Sequence, residues 1–173
     1  MASADLSDVA NSVLIYAPTN FSKGNYTVDD TFAAGAVVQL DSTFPKVELA
    51  DADYSDWDAA GINLPLGIAL DRDDTDLDTN FTSGDVITVA HLRSGAIVWV
   101  EVQTSLNTAI LAGDPIYLSE TAGQVVNKAG AFGTAATPVV NENASLNDNR
   151  IGTCVELSAA DASNTRWIKV RLD

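Results

Sequence analysis

Short apolar runs bounded by turn-forming residues recur along this chain, and they constrain its fold more than any other feature. The runs are rich in Val, Ile, Leu and aromatic residues, and Gly, Pro, Asn and Asp separate them at close intervals, a pattern typical of β-strands joined by turns. Helical signals are limited to short segments at 55–60, 105–111 and 158–163. We therefore predict a mainly β protein of one or two small β-barrel or β-sandwich modules, with short helices.

Residues 85–103 carry the clearest strand pattern. Two apolar runs, 86–89 and 97–100, flank the loop Arg93-Ser94-Gly95, whose glycine can adopt a positive φ. In the second run, valines at alternate positions fall on one face, as expected for a strand with one side in the core. The pattern predicts a β-hairpin.

The two halves of the chain repeat the same order of motifs. The matching segments are 34–40 with 112–118, 66–70 with 151–155, and 86–90 with 167–172. The offset changes between pairs, which excludes a solenoid of fixed period. Either a duplicated module or two modules with common β-turn patterns would explain the match. We expect a flexible N-terminal arm over residues 1–30, a first β module over 31–104 and a second over 105–173, with one merged domain as the alternative.

The charge balance narrows the classes of partner. The 173 residues include 9 Lys and Arg against 24 Asp and Glu, a formal net charge of −15, while 46% hydrophobic residues can supply a folded core. Such a polyanion repels phosphate backbones and anionic lipid surfaces. We expect neither nucleic acid nor a membrane as a partner, and the N-terminal residues show no secretion signal.

One acidic loop has the side-chain spacing of a calcium site. Oxygen-bearing side chains occur at alternate positions, as in loops that converge on one hard cation. They include Asp74, Asp76, Asp78, Asn80 and Asp85. Thr79 occupies the position where such loops need glycine, and the flanking segments are strand-like. The alternative is a solvated acidic loop, and we otherwise expect no cofactor.

A second acidic loop, 51–58, contains Tyr54 and Trp57 between its aspartates. Aromatic rings beside carboxylates are suited to binding a sugar or a protein partner. The alternative is that Trp57 fills the core from a loop. A glycan- or receptor-binding β module is the functional hypothesis that this loop raises.

Catalytic patterns are sparse. His91 is the single histidine and lies inside an apolar run, so a serine or cysteine nucleophile would need it as the base. A structural or surface role for His91 is the simpler interpretation. Phosphate-loop, dinucleotide-binding and nucleophile-elbow motifs do not occur in the sequence. We expect a protein that is not an enzyme.

The order of motifs resembles the head decoration, or capsid cement, proteins of tailed viruses. The resemblance rests on Ala-Gly-x-x-Val-x-Leu-Asp at 34–41, on Leu-Gly-Ile-Ala-Leu at 66–70, and on the Asp/Thr-rich loop and Ser-Gly turn that follow. Residues 66–102 are similar to the phage lambda head decoration protein family. Residues 112–172 are similar to the late strands of related small cement proteins.

The resemblance implies a structural virion protein on the capsid exterior. Such proteins are made in the host cytoplasm, bind the major capsid protein, often as homotrimers, and stabilise the expanded shell. Their N-terminal arm often adds a strand to the shell. Here that role would fall to Val13, Leu14, Ile15 and Tyr16, a β-prone apolar segment, with a first core strand as the alternative. Tyr54 and Trp57 would be further interface residues. The alternative is a glycan- or receptor-binding β module of a viral tail or fibre, which would use the same two aromatic residues.

Overall fold

A computed structural model describes residues 6–50, 65–72, 77–103, 110–119, 121–127, 150–157 and 167–173. Within these ranges the chain is nearly all β, as predicted. The elements are α1 (Leu6–Val9), β1 (Leu14–Tyr16), β2 (Lys23–Val28), β3 (Val37–Leu40), β4 (Lys46–Leu49), β5 (Pro65–Ala69), β6 (Val86–His91), β7 (Ile97–Glu101), β8 (Pro115–Leu118), β9 (Val125–Val126), β10 (Arg150–Leu157) and β11 (Trp167–Leu172). The predicted short helices lie wholly or mostly outside the described residues.

Five strands form a closed barrel in the order β2-β4-β3-β5-β6. The pairs are antiparallel except β2 with β4, which is parallel. The barrel strands carry fully buried aliphatic side chains, because alternate residues of each strand point inward. They include Val28, Val38, Val47, Ile68 and Val89. We call this set of strands, residues 23–91, the first module.

The remaining strands form a six-stranded sheet in the order β1-β7-β11-β10-β8-β9. Val102, directly after β7, makes a parallel bridge with Val125 of β9. That bridge joins the two ends of the β7-β11-β10-β8-β9 set, as the parallel β2–β4 pair closes the barrel. We call these five strands, residues 97–172, the second module, so β7 belongs to the second module although its residues precede the boundary predicted at 104.

The hairpin predicted for residues 85–103 is wrong. β6 pairs with β2 and β5 in the barrel, whereas β7 pairs with β1 and β11 in the sheet. The turn between them, with positive φ at Arg93 and Gly95, therefore carries the chain from one module to the other. The local pattern identified both strands and their turn, but partners distant in sequence occupy the edges that a hairpin would have used.

The two modules have the same strand register. In the first, Val38 lies opposite Gly67 and the pairing then shifts by a bulge; in the second, Ile116 lies opposite Gly152 and the same shift follows. The antiparallel and parallel contacts of β2 recur in β7 and Val102. The repeated motifs of the sequence are therefore a structural repeat.

Backbone contacts join the modules. The N–H of Gly123 donates to the carbonyl of Ala50 at 2.7 Å, and the carbonyl of Gly123 accepts the N–H of Val37 at 2.9 Å. Gly35, with φ of 86°, lies against the ring of Trp167, where a Cβ would approach a ring carbon to 2.9 Å. A glycine at position 35 thus provides both the turn and the space for Trp167.

Candidate functional site

The predicted interface strand is part of the chain's own sheet. β1 pairs with β7, and the N–H of Trp99 donates to the carbonyl of Val13 at 2.9 Å. Val13 is fully buried and Leu14 packs against the core. Ile15 and Tyr16 are 46% and 55% exposed. The first-core-strand alternative therefore describes Val13 and Leu14 in this chain, and Ile15 and Tyr16 are the members of the set that are open to a partner.

Asp71 holds this strand in place. Its Oδ1 accepts the N–H of Val13 at 2.8 Å and the hydroxyl of Ser12 at 3.0 Å. Asp71 lies two residues after the end of β5, so its hydrogen bonds connect the N-terminal segment to the first module, while β1 pairs with the second. From residue 6 onward, the segment predicted as an arm thus contributes α1, β1 and β2 to the fold.

Of the predicted interface aromatics, Tyr54 and Trp57 lie outside the described residues. The structure shows another exposed aromatic residue, Phe44, with 75% of its surface accessible in the β3–β4 turn. The turn is held by the N–H of Thr43 on the Asp41 carboxylate at 2.6 Å and by the N–H of Lys46 on the Thr43 carbonyl at 2.9 Å. Sequence analysis missed Phe44, although an aromatic residue in a short polar turn was the available signal.

The described carboxylates of the predicted calcium loop already have partners. Asp78 accepts the backbone N–H and the hydroxyl of Ser7, and Asn80 is exposed. Asp85 lies 2.7 Å from the guanidinium of Arg72. Asp74 and Asp76 lie outside the described residues, so calcium binding by the whole loop stays a prediction. Within the part that is described, no group of three or more His, Cys, Asp or Glu side chains could hold a metal ion.

Asp85 closes a small turn before β6. Its Oδ2 accepts the N–H of Thr82 at 2.8 Å and the Thr82 hydroxyl at 3.2 Å. The backbone hydrogen bond from Thr82 and the neighbouring Arg72 guanidinium lower the pKa of Asp85 below its ordinary value. The carboxylate therefore acts as a structural anion at neutral pH.

His91 lies between two hydroxyl groups. The Ser22 hydroxyl lies 2.8 Å from Nδ1 and the Tyr26 hydroxyl lies 2.9 Å from Nε2, with the Tyr26 ring edge-on to the imidazole. In a serine triad the second nitrogen faces a carboxylate, which stabilises the imidazolium formed in the reaction. Tyr26 places a hydroxyl group there instead. The arrangement joins β2 to the end of β6 and fits the structural role expected for His91.

Comparisons with known proteins give a likeness in fold and none in sequence family. No protein-family model matches the chain, and no curated protein matches it. Among the described residues, no helix has the length and hydropathy to cross a membrane. In the solved structures, the chain is similar to a chain of the capsid of Myoviridae phage XM1, with a TM-score of 0.55 and 17% sequence identity over 93% of this chain and 91% of that chain. The two chains therefore share a fold across nearly their full lengths.

Proposed function

We propose that this chain is a structural virion protein that binds the outside of a tailed-virus capsid and stabilises the shell. The observation that carries the proposal is the fold likeness to a chain of the phage XM1 capsid over 93% of the present chain. The order of motifs at 34–41 and 66–102, similar to head decoration proteins, is the second support. The role is one of assembly, without catalysis.

The surface is compatible with that role. A charge of −15 favours solubility at high local concentration and disfavours binding to released nucleic acid. Two exposed apolar side chains, Leu40 at the end of β3 and Phe44 in the β3–β4 turn, are suited to contacts with the major capsid protein or with other copies. We infer a homotrimer on the shell, where many copies acting together would multiply weak individual contacts.

The copy number of this chain in purified virus particles tests the proposal. Quantitative mass spectrometry against the major capsid protein should give a ratio of the same order as the shell subunit. A few copies per particle would instead indicate the tail or fibre component that the Tyr54 and Trp57 loop suggested. Absence of the chain from particles would refute a virion role.

A second measurement tests stabilisation. Particles assembled without this chain should release their DNA at a lower temperature than complete particles, and adding the purified chain back should restore the higher temperature. An unchanged release temperature would contradict the stabilising role while leaving a place in the virion intact.

A further inference from the structure

The structural repeat identifies one strand edge that is covered in the second module and bare in the first. In the second module, β1 lies along the outer edge of β7, where the N–H of Trp99 donates to the carbonyl of Val13. The corresponding strand of the first module is β2. Asn25 lies opposite Thr88 as Trp99 lies opposite Lys169, so Asn25 is the residue equivalent to Trp99.

Backbone hydrogen bonds show where the groups of β2 point. The N–H of His91 donates to the carbonyl of Ser22 at 3.0 Å, and the N–H of Val28 donates to the carbonyl of Asp85 at 2.8 Å. The residues of β2 in phase with Ser22 and Val28 therefore bond toward β6. The alternate residues, Lys23 and Asn25, direct their N–H and C=O groups toward the opposite edge.

That opposite edge is paired along part of its length. The N–H of Thr27 donates to the carbonyl of Pro45 at 3.1 Å, and β4 continues the pairing from Lys46. Before Thr27, no strand in the described ranges pairs with the edge at Lys23 and Asn25. An unpaired edge of this kind is a template for an added strand.

The side chains around the bare edge indicate what would bind there. Lys23 is exposed; its ammonium lies 5.4 Å from the Phe21 ring centre, and it forms no ion pair with a described residue. Phe44, 75% exposed, lies in the turn at the boundary between the paired and unpaired parts of the edge. The edge where the backbone groups of Lys23 and Asn25 have no strand partner thus carries a positive charge, and an exposed aromatic ring lies at its end. The chain as a whole has a net charge of −15.

We propose that the β2 edge at Lys23 and Asn25 binds an extended segment of a partner protein, which adds antiparallel to β2 as β1 adds to β7. The bound segment carries a carboxylate opposite Lys23 and an apolar side chain near Phe44. This inference rests on the proposed function for the identity of the partner, a subunit of the capsid shell. It concerns a strand that this chain accepts, not one that it donates.

Two substitutions at Asn25 separate the backbone from the side chain. Asn25→Pro removes the N–H that faces the bare edge, and proline is tolerated on an edge strand where that N–H points away from the ladder. Asn25→Val removes the same side chain, including its bond to the Thr88 hydroxyl, but keeps the N–H. Full-length variants should melt within a few degrees of each other, which circular dichroism would establish first.

Binding to virus particles assembled without this chain is the readout. We expect the original chain and Asn25→Val to bind alike and Asn25→Pro to bind about tenfold more weakly, the effect of losing one backbone bond and admitting the ring in its place. Equal binding of Asn25→Pro would overturn the inference and leave the proposed function standing. Failure of the original chain to bind would overturn the proposed function and, with it, the partner named here.

Amide exchange in the free chain is an independent test that needs no particle. The Asn25 amide should exchange freely, while the equivalent Trp99 amide is protected. Protection of Asn25 in the dilute chain would show that another part of the same chain covers the edge. Protection that appears only at high concentration would show a second copy on it. Either result would overturn the proposal of a shell partner.

Discussion

The two modules share their strand order and register but differ in what covers them. Val86 begins β6 and is 61% exposed. Its equivalent Trp167 begins β11 and is 4% exposed, with its ring next to Gly35 of the first module. Leu40 is 41% exposed and its equivalent Leu118 is 1% exposed. At these two pairs of equivalent positions, the same backbone pattern therefore exposes an apolar side chain in the first module and buries one in the second.

The difference shows that register and surface are specified by separate residues. Gly67 and Gly152 occupy equivalent positions, and in each case a Cβ would lie 2.0 Å from a carbonyl oxygen of the neighbouring strand, that of Ala90 or Arg171. These glycines are required by the shared backbone. The exposed and buried apolar side chains vary around them, and the proposed functional surfaces lie where the modules differ.

The largest effect should come from breaking the shared element. Gly67→Ala and Gly152→Ala should each cost about 3 kcal/mol of unfolding free energy, because the new methyl group overlaps backbone that cannot move independently. Denaturant unfolding would measure both variants. Gly113→Ala is the control: its φ of 96° is unfavourable for alanine but the space is open, so we expect about 1 kcal/mol. A Gly152→Ala cost no larger than the control would contradict the account.

A smaller effect should follow from releasing the strand that distinguishes the modules. Asp71→Ala removes the acceptor for Ser12 and for the N–H of Val13, which should cost about 1–2 kcal/mol. Exchange of the Trp99 amide should accelerate while that of Asn25 stays unchanged, because β1 covers the edge of β7. Asp71→Asn keeps one acceptor oxygen, so its unfolding free energy and its Trp99 exchange rate should lie between those of the original chain and those of Asp71→Ala. Unchanged Trp99 exchange in Asp71→Ala would argue against the role of the Asp71 hydrogen bonds in holding β1 on β7.

The dependence of stability on pH should show the contribution of the Asp85 carboxylate, which closes the turn before β6. The folded pKa of Asp85 lies below its unfolded value, so the ionised group contributes stability near neutral pH, and that contribution is lost as the pH falls below about 4. Asp85→Asn should therefore be less stable than the original chain at pH 7, with a difference that shrinks in acid. Denaturant unfolding between pH 7 and 2.5 would measure it. Asp30→Asn is the control, because it makes the same change in net charge at another position. A stability difference between the original chain and Asp85→Asn that grew in acid would be inconsistent with a lowered pKa.

The smallest effect concerns the thiol of the second module. Burial, with a contribution from Asp114, raises the pKa of Cys154 to about 11, and the side chain is 1% exposed. The folded chain should react very slowly with a disulfide reagent at pH 8 and react at once in denaturant. A cysteine at the exposed Thr79 position, introduced by Thr79→Cys with Cys154→Ala, should react rapidly in the folded state. Rapid reaction of native Cys154 would show that β10 opens.

Strand positions were predictable from the sequence because their signals are local. The runs predicted at 34–40, 86–90 and 167–172 coincide with β3, β6 and β11 to within three residues, and the repeated motifs correspond to equivalent strands in the same register. Pairing was less predictable. The turn at Arg93 to Gly95 was recognised, but its two strands belong to different modules.

The candidate site was harder to predict than the fold. Leu14 to Tyr16 form β1, in line with the β-prone pattern of this segment, yet contacts with Asp71 and Trp99, far along the chain, hold Val13 in a fully buried position. Phe44 gave a weak signal because one aromatic residue in a turn can be buried or exposed. The bare edge of β2 gave no signal, because an unpaired backbone group does not depend on residue type.

The sequence by itself determined the β class, the turns, the acidic surface and the existence of a repeat. These properties follow from period-two alternation, from glycine conformation and from charge, each of which acts over a few residues or sums over the chain. Only the tertiary structure decided which edge each strand uses. Every strand has two edges with the same hydrogen-bonding groups, and long-range packing, such as Trp167 on Gly35, selects which of them is filled.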